Sequence, residues 1–184
     1  MSKPVLVIIP GIGDRSRAYE LFAWVWRRRG YEVHVIPFGW SHFYADINTK
    51  TQDFLHALDK ATEKRKAYII GVSAGGTAAV HAYAKNQSIQ RVVAVCTPFA
   101  EFEKIENRLL ADSILTARRD LEGFSDDEKA HILTVCGLYD QTVPTWMSKY
   151  VGLPKKRIWF VIHAPIIFVA LTFASGSLSR FLKR

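Results

Sequence analysis

A serine framed by glycines, Gly71-Val72-Ser73-Ala74-Gly75, follows the apolar run Ala67-Tyr68-Ile69-Ile70 and precedes an alanine-rich stretch. A strand that breaks into a helix at Gly-x-Ser-x-Gly holds its serine on a tight, strained turn, with the hydroxyl clear of the sheet. Side chains at Gly71 or Gly75 would collide with the neighbouring strand and helix. The N–H of Ala74, first in the helix, then faces the reacting oxygen with the helix dipole behind it. Acyl transfer to the Ser73 hydroxyl is the chemistry that suits this turn. A nucleotide-binding β–α turn is the rival reading, but no phosphate-loop lysine follows and the turn lies deep in the chain.

A serine hydroxyl needs a neighbouring imidazole to take its proton. Six histidines are available, and the chain order that accompanies such a turn is serine, acid, histidine, each after a strand. His34 lies within a strand, His42, His56 and His81 precede any suitable acid, and His131 starts a strand at the wrong end of the sheet. His163 directly follows the last apolar run, Arg157–Ile162, and is the base this order selects. Asp140 closes the run Ile132–Tyr139 and is placed to accept from the imidazole N–H and fix its tautomer. Val143-Pro144 is expected to begin a helix after it. Asp126 and Asp127 come before that strand and should start a short helix, while Asp14 is expected to cap the first helix.

The first strand ends in Pro10-Gly11-Ile12-Gly13-Asp14. Gly11 and Gly13 allow a tight turn that presents the Ile12 N–H beside that of Ala74, a pair of donors for an oxyanion.

These residues need a frame that brings distant loops together. Short β-branched runs at Val5–Ile9, Glu32–Pro37, Ala67–Gly71, Arg91–Cys96, His131–Cys136 and Arg157–Ile162 are apolar nearly throughout, as strands buried on both faces are. Helical patterns alternate with them at Ser16–Arg29, Ile47–Lys64, Ala74–Lys85, Glu101–Asp120 and Ala164–Leu182. The alternation predicts right-handed crossovers and a doubly wound, mostly parallel six-stranded α/β sheet with helices on both faces, one domain over 1–184. Its chemistry belongs beyond the carboxyl ends of the strands.

The 184 residues carry a formal net charge of +8, with basic clusters at Arg27–Arg29, Lys64–Lys66 and Lys155–Arg157. Solvated helix ends explain these clusters, and no nucleic-acid-binding motif accompanies them, so no nucleic-acid partner is expected. Cys96 and Cys136 match no zinc or redox spacing and are read as buried thiols in a reducing compartment; no metal or cofactor is expected. The opening apolar run is too short for a signal peptide, and Ala164–Ala174 is about half a membrane span, so the expected location is cytoplasmic.

With these elements in order, the chain resembles the α/β-hydrolase superfamily over essentially its whole length. Pro10–Asp14 is similar to that family's His-Gly-x-Gly-type turn with proline in place of histidine, Gly71–Gly75 to its nucleophile elbow, Gly137–Pro144 to its acid loop, and His163 to its histidine loop. Ala164-Pro165 stands where the family often has glycine. The resemblance implies a sheet lacking the family's first two strands, with spatial order second, first, third, fourth, fifth, sixth of the runs above. It implies a compact serine esterase or lipase-like hydrolase acting on a small acyl ester or thioester through an acyl-enzyme on Ser73. The thirty-odd residues after Thr97 leave room for one or two helices rather than a large lid. Phe38–Phe43, Pro98, Phe99 and Trp146 are candidates for an apolar acyl pocket or for packing under loops. Two alternatives keep the fold: a non-enzymatic ligand-binding or interaction module, and a hydrolase of lipids bound peripherally to membranes.

Overall fold

A computed structural model describes residues 3–40, 46–100 and 107–184. Six strands form one sheet: β1 (Val5–Ile9), β2 (Glu32–Val35), β3 (Ala67–Val72), β4 (Ile89–Val95), β5 (Ile132–Tyr139) and β6 (Lys155–Val161). Their order is β2-β1-β3-β4-β5-β6, the order the resemblance implied, and every neighbouring pair is parallel. The continuous apolar character of the central strands follows from cover on both faces. Val5, Val7 and Ile9 enter one apolar cluster, while Leu6 and Ile8 enter the other.

Helices α1 (Ser16–Arg28), α2 (Ile47–Thr62), α3 (Ala74–Lys85), α4 (Arg108–Gly123), α5 (Asp126–Ala130), α6 (His163–Leu171) and α7 (Ser175–Leu182) complete the described fold. Phe54 and Leu58 of α2, the alanines of α3 and Leu109, Ala117 and Leu121 of α4 cover one face. Ala23 and Trp26 of α1, Ile166, Ala170 and Leu171 of α6 and Leu178 and Leu182 of α7 cover the other. Asp46 caps α2 through the Asn48 and Thr49 N–H groups, Asn107 caps α4, and Ser125 and Glu128 form a capping box on α5. The small side chains of α3 bury it between the sheet and α4. Thr77 and Ser113 join the two helices at 2.6 Å, as do His81 and Asp120.

Two expectations about helices need correction. The segment Ala164–Leu182 is not one helix but the pair α6 and α7, bent by 62°. Thr172 Oγ1 donates to the Phe168 carbonyl at 2.6 Å and the Ala174 N–H reaches back to Val169, so local bonds replace the regular ladder. The bend lets α7 seat its own apolar residues on the sheet, held by Arg29 Nε donating to Ser175 Oγ (2.7 Å) and by the Tyr31–Ser179 hydroxyl pair (2.9 Å). No single described helix is long and apolar enough to cross a membrane; the bent pair passes by length and composition only. No helix begins at Val143-Pro144 either: Pro144 disfavours helical backbone at Val143, and the chain goes on in turns closed by bonds such as Met147 N–H to the Pro144 carbonyl (2.8 Å).

The registers align the carboxyl ends. Ile9 pairs with Gly71, Val72 with Val95, and Val95 with Val135. The loops leaving β1, β3, β4 and β5 therefore emerge side by side. Leu6 is fully buried in the middle of this frame, and Leu6→Ala is expected to lower the unfolding free energy by about 2–5 kcal/mol, read as a reduced urea midpoint with an unchanged m-value.

Candidate active site

Ser73 sits between β3 and α3 with φ 52° and ψ −125°, a conformation that L-residues avoid. The neighbouring glycines make it attainable. A Cβ on Gly71 would run into the main chain of Gly75 and Gly76, and one on Gly75 into the carbonyls of Ile9 and Pro10. A Cβ on Gly11 would lie 3.1 Å from Ser73 Cβ, so the turn after β1 rests directly against the serine. The Ser73 N–H donates to the Val95 carbonyl at 2.8 Å, anchoring the turn to β4.

Asp140 and His163 come together from the ends of β5 and β6. His163 Nδ1 lies 2.6 Å from Asp140 Oδ2, and the Asp140 side chain is 2% exposed. Its other oxygen, Oδ1, accepts from the N–H groups of Thr142 and Val143, each at 2.9 Å. A buried carboxylate with this many donors is fixed in place. The Nδ1 contact assigns the proton to that nitrogen and leaves Nε2 as the acceptor. The second link is open: among the described residues, the Ser73 hydroxyl makes no hydrogen bond to His163. Asp140 and His163 are thus joined, while Ser73 stands separately on its turn. Such links commonly tighten only with substrate bound.

The Gly11–Asp14 turn closes through the Asp14 N–H donating to the Gly11 carbonyl at 3.2 Å, with Gly13 at φ 92°. Neither the Ile12 nor the Ala74 N–H has a hydrogen-bond partner among the described residues, so both remain available to an anionic oxygen. Asp14 does not cap α1, whose N-terminal flank is Arg15 without a side-chain cap bond. The turn places Asp14 at φ 46°, and its carboxylate accepts from Phe38 N (3.1 Å) and Trp40 N (2.6 Å). It ties the Gly11–Asp14 turn to the chain that leaves β2.

Cys96 is a neighbour that sequence reasoning missed. It follows β4, is buried, and has φ 50°. Its sulfur, an Asp140 oxygen and a His163 nitrogen all lie within 4.8 Å of one another. Burial first, and then the Asp140 charge, push the thiol far above its usual range. The three side chains offer metal-donor atoms, but Asp140 and His163 already bond each other and the thiol is held protonated, the form a metal does not bind. The available signal was positional: Cys96 ends the strand between those carrying Ser73 and Asp140.

The aromatic candidates divide. Phe38 and Trp40 are buried in the core, with Phe38 against Phe54 of α2, while Phe99 is buried beside Tyr150. Trp146 is exposed. Ser41, His42 and Phe43 lie outside the described residues. A hollow of about 530 Å³ opens beside Phe99, Arg118, Lys129 and Tyr150, and none of Ser73, Asp140 and His163 lines it.

The sequence profile of the alpha/beta hydrolase family matches residues 6–182. The chain belongs to that family. No curated protein matches the sequence. Among solved structures, this alpha/beta hydrolase is similar to the monoacylglycerol lipase of Paleococcus ferrophilus, at 15% identity and a TM-score of 0.70 over 100% of this chain and 96% of that one. It is similar at 13% identity to a putative non-heme bromoperoxidase of Mycobacterium tuberculosis, TM-score 0.70, over 98% and 92%. A structure from a study of carboxylesterases of Nitrososphaera gargenis matches at 11% identity and TM-score 0.70, over 98% and 92%. At these identities the likeness is one of fold.

Two outcomes test the local physics. Asp14→Ala leaves the Phe38 and Trp40 N–H groups without their acceptor and is expected to cost about 1–3 kcal/mol of stability in urea unfolding. The raised Cys96 thiol stays protonated in the folded protein while the unfolded thiol ionises near its usual 9.0. Its stabilising contribution is therefore intact below pH 9.0 and lost as the pH climbs toward the raised folded value. The urea midpoint should fall more steeply with rising pH in the native protein than in Cys96→Ala.

Proposed function

We propose that this alpha/beta hydrolase is a serine hydrolase that cleaves a carboxylic ester or thioester. The observation that carries the reading is the buried Asp140–His163 hydrogen bond of 2.6 Å at the same sheet edge as a serine at φ 52°. A hydrogen-bonded acid and imidazole beside a strained serine is the arrangement that nucleophilic acyl transfer needs.

In the proposed cycle, His163 Nε2 takes the proton of Ser73 Oγ as the oxygen attacks the substrate carbonyl carbon. The carbonyl π electrons move to oxygen, and the N–H groups of Ile12 and Ala74 receive that charge. The imidazolium then gives its proton to the departing alcohol or thiol as the tetrahedral centre collapses to an acyl-serine. Water, deprotonated by the same nitrogen, repeats the sequence and releases the acid. Asp140 keeps the ring in the useful tautomer and offsets the imidazolium charge. The lipase and carboxylesterase among the similar structures support an ester substrate for this chain. The fold by itself does not select the acyl group or leaving group.

A fluorophosphonate probe should label the native protein and leave Ser73→Ala unlabelled. Hydrolysis of p-nitrophenyl esters should weaken in acid, where a protonated imidazole cannot accept, and Asp140→Asn should lower kcat by up to about 10⁴-fold. A folded native protein that neither reacts with the probe nor turns over esters or thioesters would favour the non-enzymatic binding module instead.

A further inference from the structure

The charge of this chain is not spread evenly over its two helical layers. The layer formed by α1 and the α6–α7 pair carries Arg15, Arg17, Arg27, Arg28, Arg29, Arg180, Lys183 and Arg184, all exposed, against the single acid Glu20. Residues 15–29 and 163–184 thus hold a net +7 of the chain's +8. On the opposite layer, helices α2 and α4 mix the two signs, with Lys50, Asp53, Asp59 and Lys60 on α2 and Arg108, Asp112, Arg118 and Asp120 on α4.

The basic layer also exposes apolar side chains. On α1, Arg17, Leu21, Trp24 and Arg28 follow one another at spacings of four, three and four, so they form one outward stripe. Arg28 lies 4.3 Å over the Trp24 ring, which confirms that the stripe is continuous there. Leu21 is 60% exposed and Trp24 51%. On the other side of the layer, Phe173 stands out at the α6–α7 bend with 79% exposure, and Phe168 adjoins it at 6.1 Å between ring centroids. Phe168 in turn meets Phe22 of α1 at 6.0 Å. A run of aromatic contacts therefore joins the α6–α7 bend to α1, the helix that carries the other stripe.

We propose that this layer docks on an anionic lipid surface, with the basic residues at the phosphate level and Leu21, Trp24 and Phe173 entering the boundary between headgroups and acyl chains. The charge segregation supplies the long-range attraction and the exposed apolar groups the short-range adhesion, the combination that interfacial helices use. A nucleic-acid face fits less well, because Leu21 and Phe173 would stay in water or lie against phosphate. α6 starts at His163, so the layer that would lie on the membrane also supplies the candidate base. The substrate class that follows is the ester of a lipid presented at that surface. This substrate assignment rests on the hydrolase reading above; the docking surface does not.

The test is vesicle flotation of the full chain, using Ser73→Ala alongside the native protein so that lipid hydrolysis does not alter the membrane. Binding is expected to vesicles of phosphatidylcholine mixed with phosphatidylserine, to fall at high salt, and to be weak on phosphatidylcholine alone. Arg17→Glu with Arg28→Glu should lower binding by about fivefold or more for each side chain reversed. Leu21→Ser with Phe173→Ser should weaken what survives salt. Lys60→Glu with Lys64→Glu makes the same change in net charge on the opposite layer and should leave binding near the native level. The Arg17, Arg28, Leu21, Phe173, Lys60 and Lys64 substitutions are all at exposed sites outside the candidate triad, and an unchanged far-ultraviolet circular dichroism spectrum and urea midpoint serve as the folding control. Three outcomes would each overturn the proposal: no native binding to the anionic vesicles, equal losses in the two charge-reversed proteins, or tighter binding to duplex DNA that displaces the vesicles. Failure of Ser73 to react with a fluorophosphonate while vesicle binding persists would instead remove the hydrolase reading and spare the surface.

Discussion

Everything at the candidate catalytic edge depends on how closely the N-terminus of α3 approaches the ends of β1 and β3. Ser73 is held at φ 52° because main-chain atoms of Ile9, Pro10, Gly75 and Gly76 crowd around it without intervening side chains. This is a steric constraint, and it explains more than the serine. The approach that requires Gly71 and Gly75 also sets Gly11 against the Ser73 side chain. The unpaired N–H groups of Ile12 and Ala74 thereby arise at the same edge of the sheet. Strain at one residue and availability of two donors are consequences of one packing decision, compensated by the large buried core on both faces of the sheet.

The acid and base follow a different logic. Ser73 is placed by main-chain contacts, whereas Asp140 is placed by hydrogen bonds that saturate its carboxylate. Thr142 and Val143 take one oxygen and His163 the other. The turn after β5 thus places its N–H groups on Asp140, and Pro144 beyond it disfavours continuation as a helix. Cys96 completes the surroundings with a neutral, protonated thiol, which fills space beside the carboxylate without contributing a competing charge. In a low-dielectric pocket, a second anion there would weaken the Asp140–His163 pair.

Much of this was legible in the sequence, and the exceptions share a physical cause. Central strands buried on both faces announce themselves by continuous apolar runs, and their order came from the family resemblance. The last run, Arg157–Ile162, was located as a strand but lies at the sheet edge with Trp159 and Phe160 exposed rather than buried on both faces. The positions of Ser73, Asp140 and His163 followed from strand ends and chain order. What escaped was decided by competition for individual hydrogen bonds. Asp14 has the residue type of a helix cap, yet its carboxylate serves Phe38 and Trp40 across the fold. Ala164–Leu182 has the apolar character of one helix, yet Thr172 and Ser175 divert its carbonyls and Arg29 draws Ser175 toward α1. For Phe38 and Trp40 the sequence left pocket wall and packing under loops both open, because a ring's identity does not say which side of a loop it packs beneath, and the structure buries both. Local type is visible in sequence; the partner chosen from across the molecule is not.

The same limit applies to charge. Basic clusters at helix ends are ordinary taken one at a time, and each of Arg27–Arg29, Lys64–Lys66 and Arg180–Arg184 fits the helix dipole. Only the winding of the chain decides which of them share a face. Right-handed crossovers send α2 and α3 to one side of the sheet and leave α1 to meet the C-terminal helices on the other, so two basic segments far apart in sequence become one layer. That layer includes α6, which opens with His163 and closes near Phe173. A doubly wound sheet necessarily separates its helices into two populations, and here one population is nearly balanced in sign while the other is almost wholly positive. The asymmetry follows from topology acting on an unremarkable distribution of residues. The carboxyl edge of the sheet carries the candidate site, and the α1–α6–α7 side carries most of the positive charge.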